Sequence, residues 1–273
     1  MLTYLGEFDD YYTYHEDEHP FVECATFADD YKYSAAHWQA EQHYIDTPYL
    51  DLGGKESDFD VVYNADNITQ SIDMLVQWLS LADDGTDYLT SYVYQNLTGQ
   101  FDDENVARSY ALRLLIHYVG DVHQPFHCMD KYDAENIDGD RGGNDFKLPS
   151  HYGSSNLHSV WDHLIYTQHV SIARPFTPEA WTDFQPTVTE FVARNAEIVS
   201  DASSYENFDY FGWSDESYNI GITKYDGIEQ NVALPQWYID ENLPITEQRV
   251  VLAGYRLAYL IEYIYPSTQL FLQ

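Results

Sequence analysis

The chain has 273 residues, of which 46 are acidic and 12 basic, so its formal net charge is -34. Hydrophobic residues make up 44% of it and include 26 Tyr, 13 Phe and 6 Trp, which is enough to bury a core and excludes a disordered acidic chain. The charge disfavours long-range attraction to a polyanion, but charges more than about 8 Å apart are largely screened at physiological salt, so a local group of cations could dominate at a site.

Apolar residues near 3.6-residue spacing predict an amphipathic helix over residues 67–81. The next predicted helix, over residues 103–122, is apolar on almost every side, so we expect it to be buried. Pro125 must interrupt that helix, because proline lacks the N–H donor and clashes with the preceding turn. The Gly, Asp, Asn and Ser content of residues 130–155 predicts a long loop, after which Asn156 is a plausible N-cap.

Further along, Thr177-Pro178-Glu179 is typical of a helix start, and we expect this helix to run to about residue 200. Two more helices are predicted over residues 213–225 and from about residue 246 to 265. Alternating strand patterns are few and there is no internal repeat. The pattern predicts a mainly α fold with long loops.

No linker-like stretch divides the chain, which predicts one domain over residues 1–273. The start carries no signal-peptide pattern and no run of about 18 apolar residues occurs, so neither a signal peptide nor a membrane span is predicted. The sequons at Asn67 and Asn96 hint at a secretory route, so we expect a secreted or lumenal glycoprotein. Cys24 and Cys128 leave open two buried thiols, which is the simpler interpretation, or one disulfide. No pattern predicts a stable protein partner.

Two His-x-x-x-Asp pairs, His117 with Asp121 and His158 with Asp162, place their side chains on one face of a helix. Such spacing is weak by itself in a chain with 11 His and 46 acidic residues. It gains weight at Asp121, because the surrounding helix is predicted to be buried and a buried carboxylate is costly unless paired or metal-bound. The alternative is a buried His–Asp hydrogen-bonded pair.

His123 and His127 follow just past Pro125 and add two further candidate ligands, which suits a metal site with nitrogen and oxygen ligands. Imidazole favours zinc over magnesium, which prefers oxygen and water. More than four candidates imply more than one ion, and neighbouring zinc ions suit phosphodiester hydrolysis because they activate water and stabilise both reacting oxygens. His37 and His169 are interpreted as ordinary histidines.

Three blocks of sequence carry a specific resemblance to a known family: HYVGDVHQPFH at 117–127, DRGGN at 140–144 and NLHSVWD at 156–162. They resemble the S1/P1 nucleases, zinc-dependent single-strand-specific nucleases that share their fold with the bacterial zinc phospholipases C. Shorter matches at 27–29, 43–48, 213–218, 243–245 and 253–258 extend the resemblance over nearly the whole chain. The resemblance implies a helical phospholipase C/nuclease-like fold.

Carried over residue by residue, the resemblance implies two zinc sites. One site would use Asp29, His43, His117 and Asp121, and the other His127, His158 and Asp162. Asp121 would also reach a third ion, and Asp121 and Asp29 would act in catalysis through water activated by the metals. Four further residues would support the ligands or shape the loop beside them: Asp46, His123, Arg141 and Asn144. Convergence of these ligands would also bring Cys24 and Cys128 into one neighbourhood, which keeps the disulfide open.

Two departures from the family pattern stand out. In the family a third zinc is held by an N-terminal Trp and a nearby His, whereas this sequence opens Met1-Leu2-Thr3-Tyr4 and its first histidine is His15. We therefore expect the family's N-terminal segment to be missing and the third site to be lost or incomplete. Many members also carry an Asn two residues past the last Asp ligand, where this chain has Leu164, so base preference is open.

The resemblance implies an endonuclease that hydrolyses phosphodiester bonds of single-stranded DNA or RNA, with zinc as cofactor and 5′-phosphate products. One alternative is a zinc phospholipase C-like phosphodiesterase, which would use the same metals on a lipid phosphodiester. The other alternative is a non-catalytic zinc-binding relative. DNA-versus-RNA preference, 3′-nucleotidase activity and oligomeric state do not follow from the sequence.

Overall fold

The computed structural model describes residue 2 and residues 15–33, 36–80, 87–167 and 172–266. Within these ranges the fold is built mainly from α-helices: α1 (Pro20–Glu23), α2 (Phe27–Lys32), α3 (Ile68–Ser80), α4 (Tyr92–Gln100), α5 (Glu104–Asp121), α6 (Leu157–Asp162), α7 (Pro178–Arg194), α8 (Tyr210–Gly221) and α9 (Gln236–Ile264). Two 3-10 turns, His37–His43 and Pro125–His127, matter for the site. The mainly α prediction is confirmed. Among the described helices, none is long and apolar enough to cross a membrane.

The predicted helices agree with α3 and α5 closely, and α5 is buried along most of its length as expected. Asn156 caps α6 as predicted, because its side chain accepts a hydrogen bond from Ser159 N at 2.8 Å. The last helix differs: α9 begins at Gln236, well before the predicted start near residue 246. Pro244 lies inside it, although a proline lacks the N–H donor and usually interrupts a helix.

Short strands form two small sheets. β1 (Pro48–Leu50) pairs in parallel with β2 (Asp130–Tyr132), and β3 (Lys147–His151) pairs antiparallel with β4 (Ser154–Asn156). The expectation of one loop over residues 130–155 is therefore wrong in part. These strands are three to five residues long and mostly polar, so they carry no alternating pattern that could predict them.

The buried side chains form two clusters that meet beside one segment. The larger cluster is formed by residues of α2–α5, α8 and α9, and the smaller is centred on Phe126, Trp161 and Tyr238. Residues 122–129 contribute to both: Val122 packs in the larger cluster and Met129 in the smaller. The segment that contains His123 and His127 is therefore held firmly on both sides.

Both cysteines are buried free thiols, as the simpler interpretation predicts, so the disulfide that the sequence left open is not formed. Cys24 Sγ donates to the carbonyl oxygen of Phe21 at 3.6 Å and Cys128 Sγ to that of Val122 at 3.3 Å. Burial raises the pKa of each thiol to about 12, which keeps both protonated and unreactive.

Both sequon amides are engaged within the fold. Asn67 is only 6% exposed, and its Oδ1 accepts from the backbone N–H groups of Thr69 and Gln70 at the start of α3. Asn96 lies within α4 and donates to the carbonyl oxygen of Tyr92 at 2.8 Å. Asn67 is therefore not presented for glycosylation.

Candidate metal centre

Two helices each present a histidine and an aspartate one turn apart. The last turn of α5 carries His117 and Asp121, and α6 carries His158 and Asp162. Residues four apart lie on one helix face, so each pair points the same way. Asp29 joins the first pair from α2.

Parallel pairing of β1 with β2 brings two further histidines together. His43 ends the turn before β1, and His127 ends the turn before β2. Ile45 N donates to the carbonyl oxygen of His127 at 2.8 Å, and His127 Nδ1 donates to the carbonyl oxygen of His43 at 2.8 Å. The backbone of His43 therefore orients the ring of His127, and the backbones of the two residues are held together.

The first cluster contains Asp29, His43 and His117, whose candidate ligand atoms all lie within 4.8 Å of one another. Asp121 lies at its centre, with Oδ2 2.9 Å from His43 Nδ1 and 3.0 Å from His117 Nε2. The same oxygen is 3.9 Å from His127 Nδ1. Asp121 therefore faces the second cluster as well as the first.

The second cluster contains His127, His158 and Asp162, also within 4.8 Å of one another. Asp162 Oδ1 is 3.6 Å from His127 Nε2, and its Oδ2 is 3.7 Å from His158 Nε2. These separations exceed hydrogen-bond length, so the three groups surround a space instead of pairing directly.

Three of the histidines are oriented by backbone carbonyls. Nδ1 of His117, His127 and His158 donates to the carbonyl oxygens of Ala25, His43 and Gly142 at 2.7, 2.8 and 2.8 Å. Each ring thus keeps its proton on Nδ1 and turns Nε2 inward, the arrangement found for histidines that bind metals.

The donor set fits a metal such as zinc. Nε2 of His117 is buried and, although 3.0 Å from Asp121, finds no aligned hydrogen-bond partner among the described residues. Inward-facing imidazole nitrogens and carboxylate oxygens are zinc ligands. A cation between such atoms would satisfy them, whereas a simple His–Asp hydrogen-bonded pair leaves this nitrogen unmatched.

Without a metal ion, the histidines and aspartates of the two clusters shift one another's pKa. Burial alone would raise the pKa of Asp121, but the neighbouring His117 and His127 hold it well below its usual range. Burial alone would lower the pKa of His117, but the charge of Asp121 raises it to about 9. Asp162 keeps a side chain that is 40% exposed, and its position within the protein would raise its pKa, but the neighbouring His158 and His127 lower that pKa to about 2.

The cavity around both clusters has a volume of about 1480 Å³ and is lined by six of the seven predicted ligands, the exception being the buried His117. Asp46, Arg141 and Asn144 also line it. Arg141 pairs with Asp145 at 2.8 Å and projects toward solvent, while Asn144 Nδ2 donates to the carbonyl oxygen of Arg141. Within the described part of the chain, neither side chain forms a hydrogen bond or ion pair with a predicted ligand, so these two residues shape the cavity lining.

His123 also lines the cavity, but its ring belongs to a separate buried network. Its Nδ1 donates to the carbonyl oxygen of Val119 at 2.7 Å, and its Nε2 accepts from Arg256 at 2.8 Å. Arg256 and Arg249 both pair with Glu216. His123 therefore fixes α5 against α9. Burial, together with the charges of the neighbouring arginines, holds the pKa of His123 well below its usual range.

Two polar residues at the centre escaped sequence reasoning. Lys32 Nζ lies 2.9 Å from Asp29 Oδ1, and Gln124 Nε2 donates to Asp162 Oδ1 at 2.8 Å. The signals were present, since Lys32 follows Asp29 by three residues on α2 and Gln124 sits between two histidines. Neither position identifies a residue of the metal centre unless the fold is known. Of the two histidines interpreted as ordinary, His37 is exposed at the cavity edge, and His169 falls outside the described residues.

One known protein family matches most of the chain. The family model S1/P1 Nuclease matches residues 6–266 of the chain. Among curated proteins, the chain is similar to Endonuclease 4 of Arabidopsis thaliana, with 26% identity over 238 residues, covering 84% of this chain and 72% of that protein. Endonuclease 1 of Arabidopsis thaliana is 26% identical over 258 residues, covering 86% and 70%. Nuclease S1 of Aspergillus oryzae is 24% identical over 176 residues, covering 56% and 54%.

Proposed function

Because the chain belongs to the S1/P1 nuclease family, we propose that it is a zinc-dependent endonuclease that hydrolyses phosphodiester bonds of single-stranded DNA or RNA and leaves 5′-phosphate ends. The observation that carries this proposal is the convergence of two ligand clusters beside Asp121 in one cavity. The similar proteins named endonucleases support the reaction class.

The ligand assignment follows the two clusters. Asp29, His43, His117 and Asp121 would hold one zinc ion, and His127, His158 and Asp162 a second. When bound, zinc ions lower the pKa of water and offset charge on the phosphate oxygens. The third ion of the family would also use Asp121; residue 1 and residues 3–14 fall outside the described part of the chain.

The protein's own groups prepare this chemistry. The carbonyls that accept from Nδ1 of His117, His127 and His158 fix each ring before substrate arrives, which reduces the reorganisation needed during reaction. Lys32 places a positive charge beside Asp29 at the cavity wall, and we propose that it pairs with a non-bridging phosphate oxygen of the substrate. In a chain with so few cations, this local charge opposes the general repulsion of a polyanion.

A preference for single strands follows from the lining. Phe21, Tyr33 and Tyr44 line the cavity, and the rings of Phe21 and Tyr33 are exposed to solvent. Aromatic faces bind unstacked bases without regard to sequence, whereas a duplex keeps its base faces hidden. Leu164, which lines the cavity where many family members carry Asn, has no polar side-chain atom to read a base edge, so we propose weak base preference.

An apolar wall of the same cavity favours the second candidate, a phospholipase C-like phosphodiesterase. Four apolar residues are among those that line it: Phe21 and Val22 of α1, and Val250 and Leu257 of α9. Such a surface would accept a lipid tail as well as a base. We retain the nuclease as the main proposal because the family match covers residues 6–266. We also propose that the chain acts as one domain in a secreted or lumenal setting.

The proposal is tested by incubating the zinc-loaded protein with single-stranded DNA, duplex DNA and lecithin side by side. We expect cleavage of the single strand first, 5′-phosphate ends on the products, loss of activity with a chelator and recovery with zinc. Metal analysis should find about two zinc ions per chain, as two ligand clusters imply. Preferential hydrolysis of lecithin would establish the second candidate, and zinc binding without turnover on any substrate would establish a non-catalytic relative.

A further inference from the structure

The loop between β2 and β3 has an unusual backbone. Arg141, Gly142 and Gly143 follow one another in the left-handed region, with φ of 55°, 58° and 76°. This region is unfavourable for a residue with a Cβ atom such as Arg141. Glycine adopts positive φ readily, so it is Arg141 that needs contacts from the surrounding protein to hold it there.

Two buried carboxylates supply those contacts. Asp130 Oδ1 accepts from Arg141 N at 2.7 Å, and Asp140 Oδ1 accepts from Gly143 N at 3.0 Å and Lys131 N at 3.1 Å. The two aspartates are only 4% and 2% exposed. Burying a carboxylate is costly unless hydrogen bonds compensate it, and here the compensating donors are the loop's own N–H groups.

The second oxygen of Asp140 is fixed from a distant part of the chain. Tyr225 lies in the segment that connects α8 to α9, and its side chain is buried. Its hydroxyl donates a hydrogen bond to Asp140 Oδ2 at 2.6 Å. The carboxylate therefore cannot rotate without losing bonds on both sides. The loop is anchored to the smaller core cluster, to which Tyr225 belongs.

What the anchored loop presents is the carbonyl of Gly142. His158 Nδ1 donates to this oxygen at 2.8 Å, and the backbone N–H of His158 donates to the carbonyl oxygen of Gly143 at 3.3 Å. A Cβ atom at Gly142 would overlap the carbonyl oxygen of Phe126, so the loop lies directly against the chain that leads into His127. The position of one carbonyl thus decides how the ring of His158 is turned.

We propose that Asp130 and Asp140 are positioning residues for His158: through the loop they hold the Gly142 carbonyl where it keeps the proton of His158 on Nδ1 and turns Nε2 toward Asp162. This inference rests on the proposed function, because it takes His158 as a ligand of the second zinc ion. The aspartates act through the backbone, and their described hydrogen bonds go to the loop, Lys131 and Tyr225. Among the described residues, neither aspartate belongs to a group that could hold a metal ion.

The main test compares zinc binding by Asp140→Ala, Asp140→Asn and Asp138→Ala, using calorimetric titration together with metal analysis. Removing a group that orients a metal-binding histidine typically lowers metal affinity about 10–100-fold. Asp140→Ala should therefore lower the affinity of the second site for zinc by that factor and leave the affinity of the first site unchanged. Asp140→Asn keeps one oxygen that can accept from Gly143 N and should recover part of the loss. Asp138→Ala removes an exposed carboxylate of the same loop and should match the wild type.

A second measurement reads the ring directly in the zinc-free protein. The ¹⁵N shifts of the His158 imidazole should show a proton fixed on Nδ1 in the wild type and exchange between the two nitrogens in Asp140→Ala. If Asp140→Ala does not fold, Tyr225→Phe replaces it, because it removes only the hydroxyl that donates to Asp140. We expect that variant to show the same changes with a smaller, several-fold loss at the second site.

Several results would overturn the inference. Wild-type affinity at the second site together with unchanged His158 shifts in a folded variant would do so, and so would equal weakening of both sites, which would indicate a general structural role. A failure of this inference can be distinguished from a failure of the proposed function. If the wild type binds no zinc, the proposed function is wrong, while the ¹⁵N comparison in zinc-free protein still decides whether the aspartates orient His158.

Discussion

Lys32 Nζ lies 2.9 Å from Asp29 Oδ1, one turn along the same short helix, and faces the cavity that holds both clusters. Its side chain is only 17% exposed, so its charge is less screened than that of a surface lysine. Burial disfavours the charged form, but Asp29 raises the pKa of Lys32 above its usual value. The lysine is therefore a fixed positive charge at the site.

We expect Lys32→Met to lower kcat/KM on single-stranded DNA by about 100-fold, the effect typical of removing one charge-stabilising donor from an active site. Zinc content should not change, because Asp29 keeps both oxygens. Steady-state kinetics and metal analysis of the purified variant check this, with the exposed Lys55→Met as control. If the Lys32→Met protein were as active as Lys55→Met, Lys32 would have no role in the reaction.

Asp121→Ala should abolish hydrolysis with little loss of fold. The carboxylate lies between His43 and His117 and also faces His127, so its removal takes away the negative charge that these histidines share and a predicted metal ligand. The matched control is Asp215→Ala, which removes an exposed carboxylate from α8. Activity assays, zinc analysis and circular dichroism measure hydrolysis, metal content and folding of both proteins. Equal activity in the two variants would mean that Asp121 does not belong to the catalytic centre.

The stability of the zinc-free protein should depend on Asp46. Burial, with a further contribution from Asp130, raises the pKa of Asp46 from 3.8 to about 7, so the folded state holds this proton more tightly than the unfolded state. The stabilisation is fully present below about pH 4 and is lost as pH rises through about 7. Asp46→Asn removes this dependence, so its stability advantage over the wild type should grow across that window by up to about 4 kcal/mol.

Urea unfolding of the chelator-treated proteins at pH 4, 5.5, 7 and 8 measures this difference. The exposed Asp215→Asn variant controls for the general loss of one negative charge. A constant difference between Asp46→Asn and the wild type from pH 4 to pH 8 would show that Asp46 keeps an ordinary pKa in the folded protein.

Salt should accelerate the enzyme on long substrates. The chain carries a net charge of -34, and four of its 12 cationic residues, Arg108, Arg113, Arg249 and Arg256, are buried in internal contacts. The surface therefore repels nucleic acid, and screening this repulsion should raise kcat/KM between about 20 mM and 200 mM NaCl. Most nucleic-acid-binding proteins show the opposite trend.

The control for the salt prediction is a small phosphodiester with one charge, such as a nitrophenyl ester of a mononucleotide. Its turnover should change little over the same range, because long-range repulsion acts mainly on the polyanion. A parallel fall in kcat/KM for both substrates would indicate that local contacts, and not the overall charge, govern association.

The sequence predicts the parts of the fold that rest on long periodic patterns. The helix that became α5 shows apolar residues on every side, and its burial is what gave weight to His117 and Asp121. The start of α6 at Asn156 follows from capping chemistry. These features are local in the chain, so a single sequence contains them.

Other features depend on contacts between distant residues and leave no local pattern. The pairing of β1 with β2, which joins His43 to His127, involves strands of three residues. The bond from Tyr225 to Asp140 links positions 85 residues apart. The accommodation of Pro244 within α9 depends on the helix around it. Periodicity cannot report such relationships, because it describes neighbours along the chain.

The carbonyl that orients His117 belongs to Ala25, a residue whose side chain is exposed. Every residue type has a carbonyl oxygen, so this support does not depend on which amino acid occupies position 25. A scan of single substitutions would record the position as tolerant although His117 relies on it. Only an insertion or deletion that shifts the backbone relative to α5 would expose the dependence, so this part of the centre is encoded by the length and path of the chain.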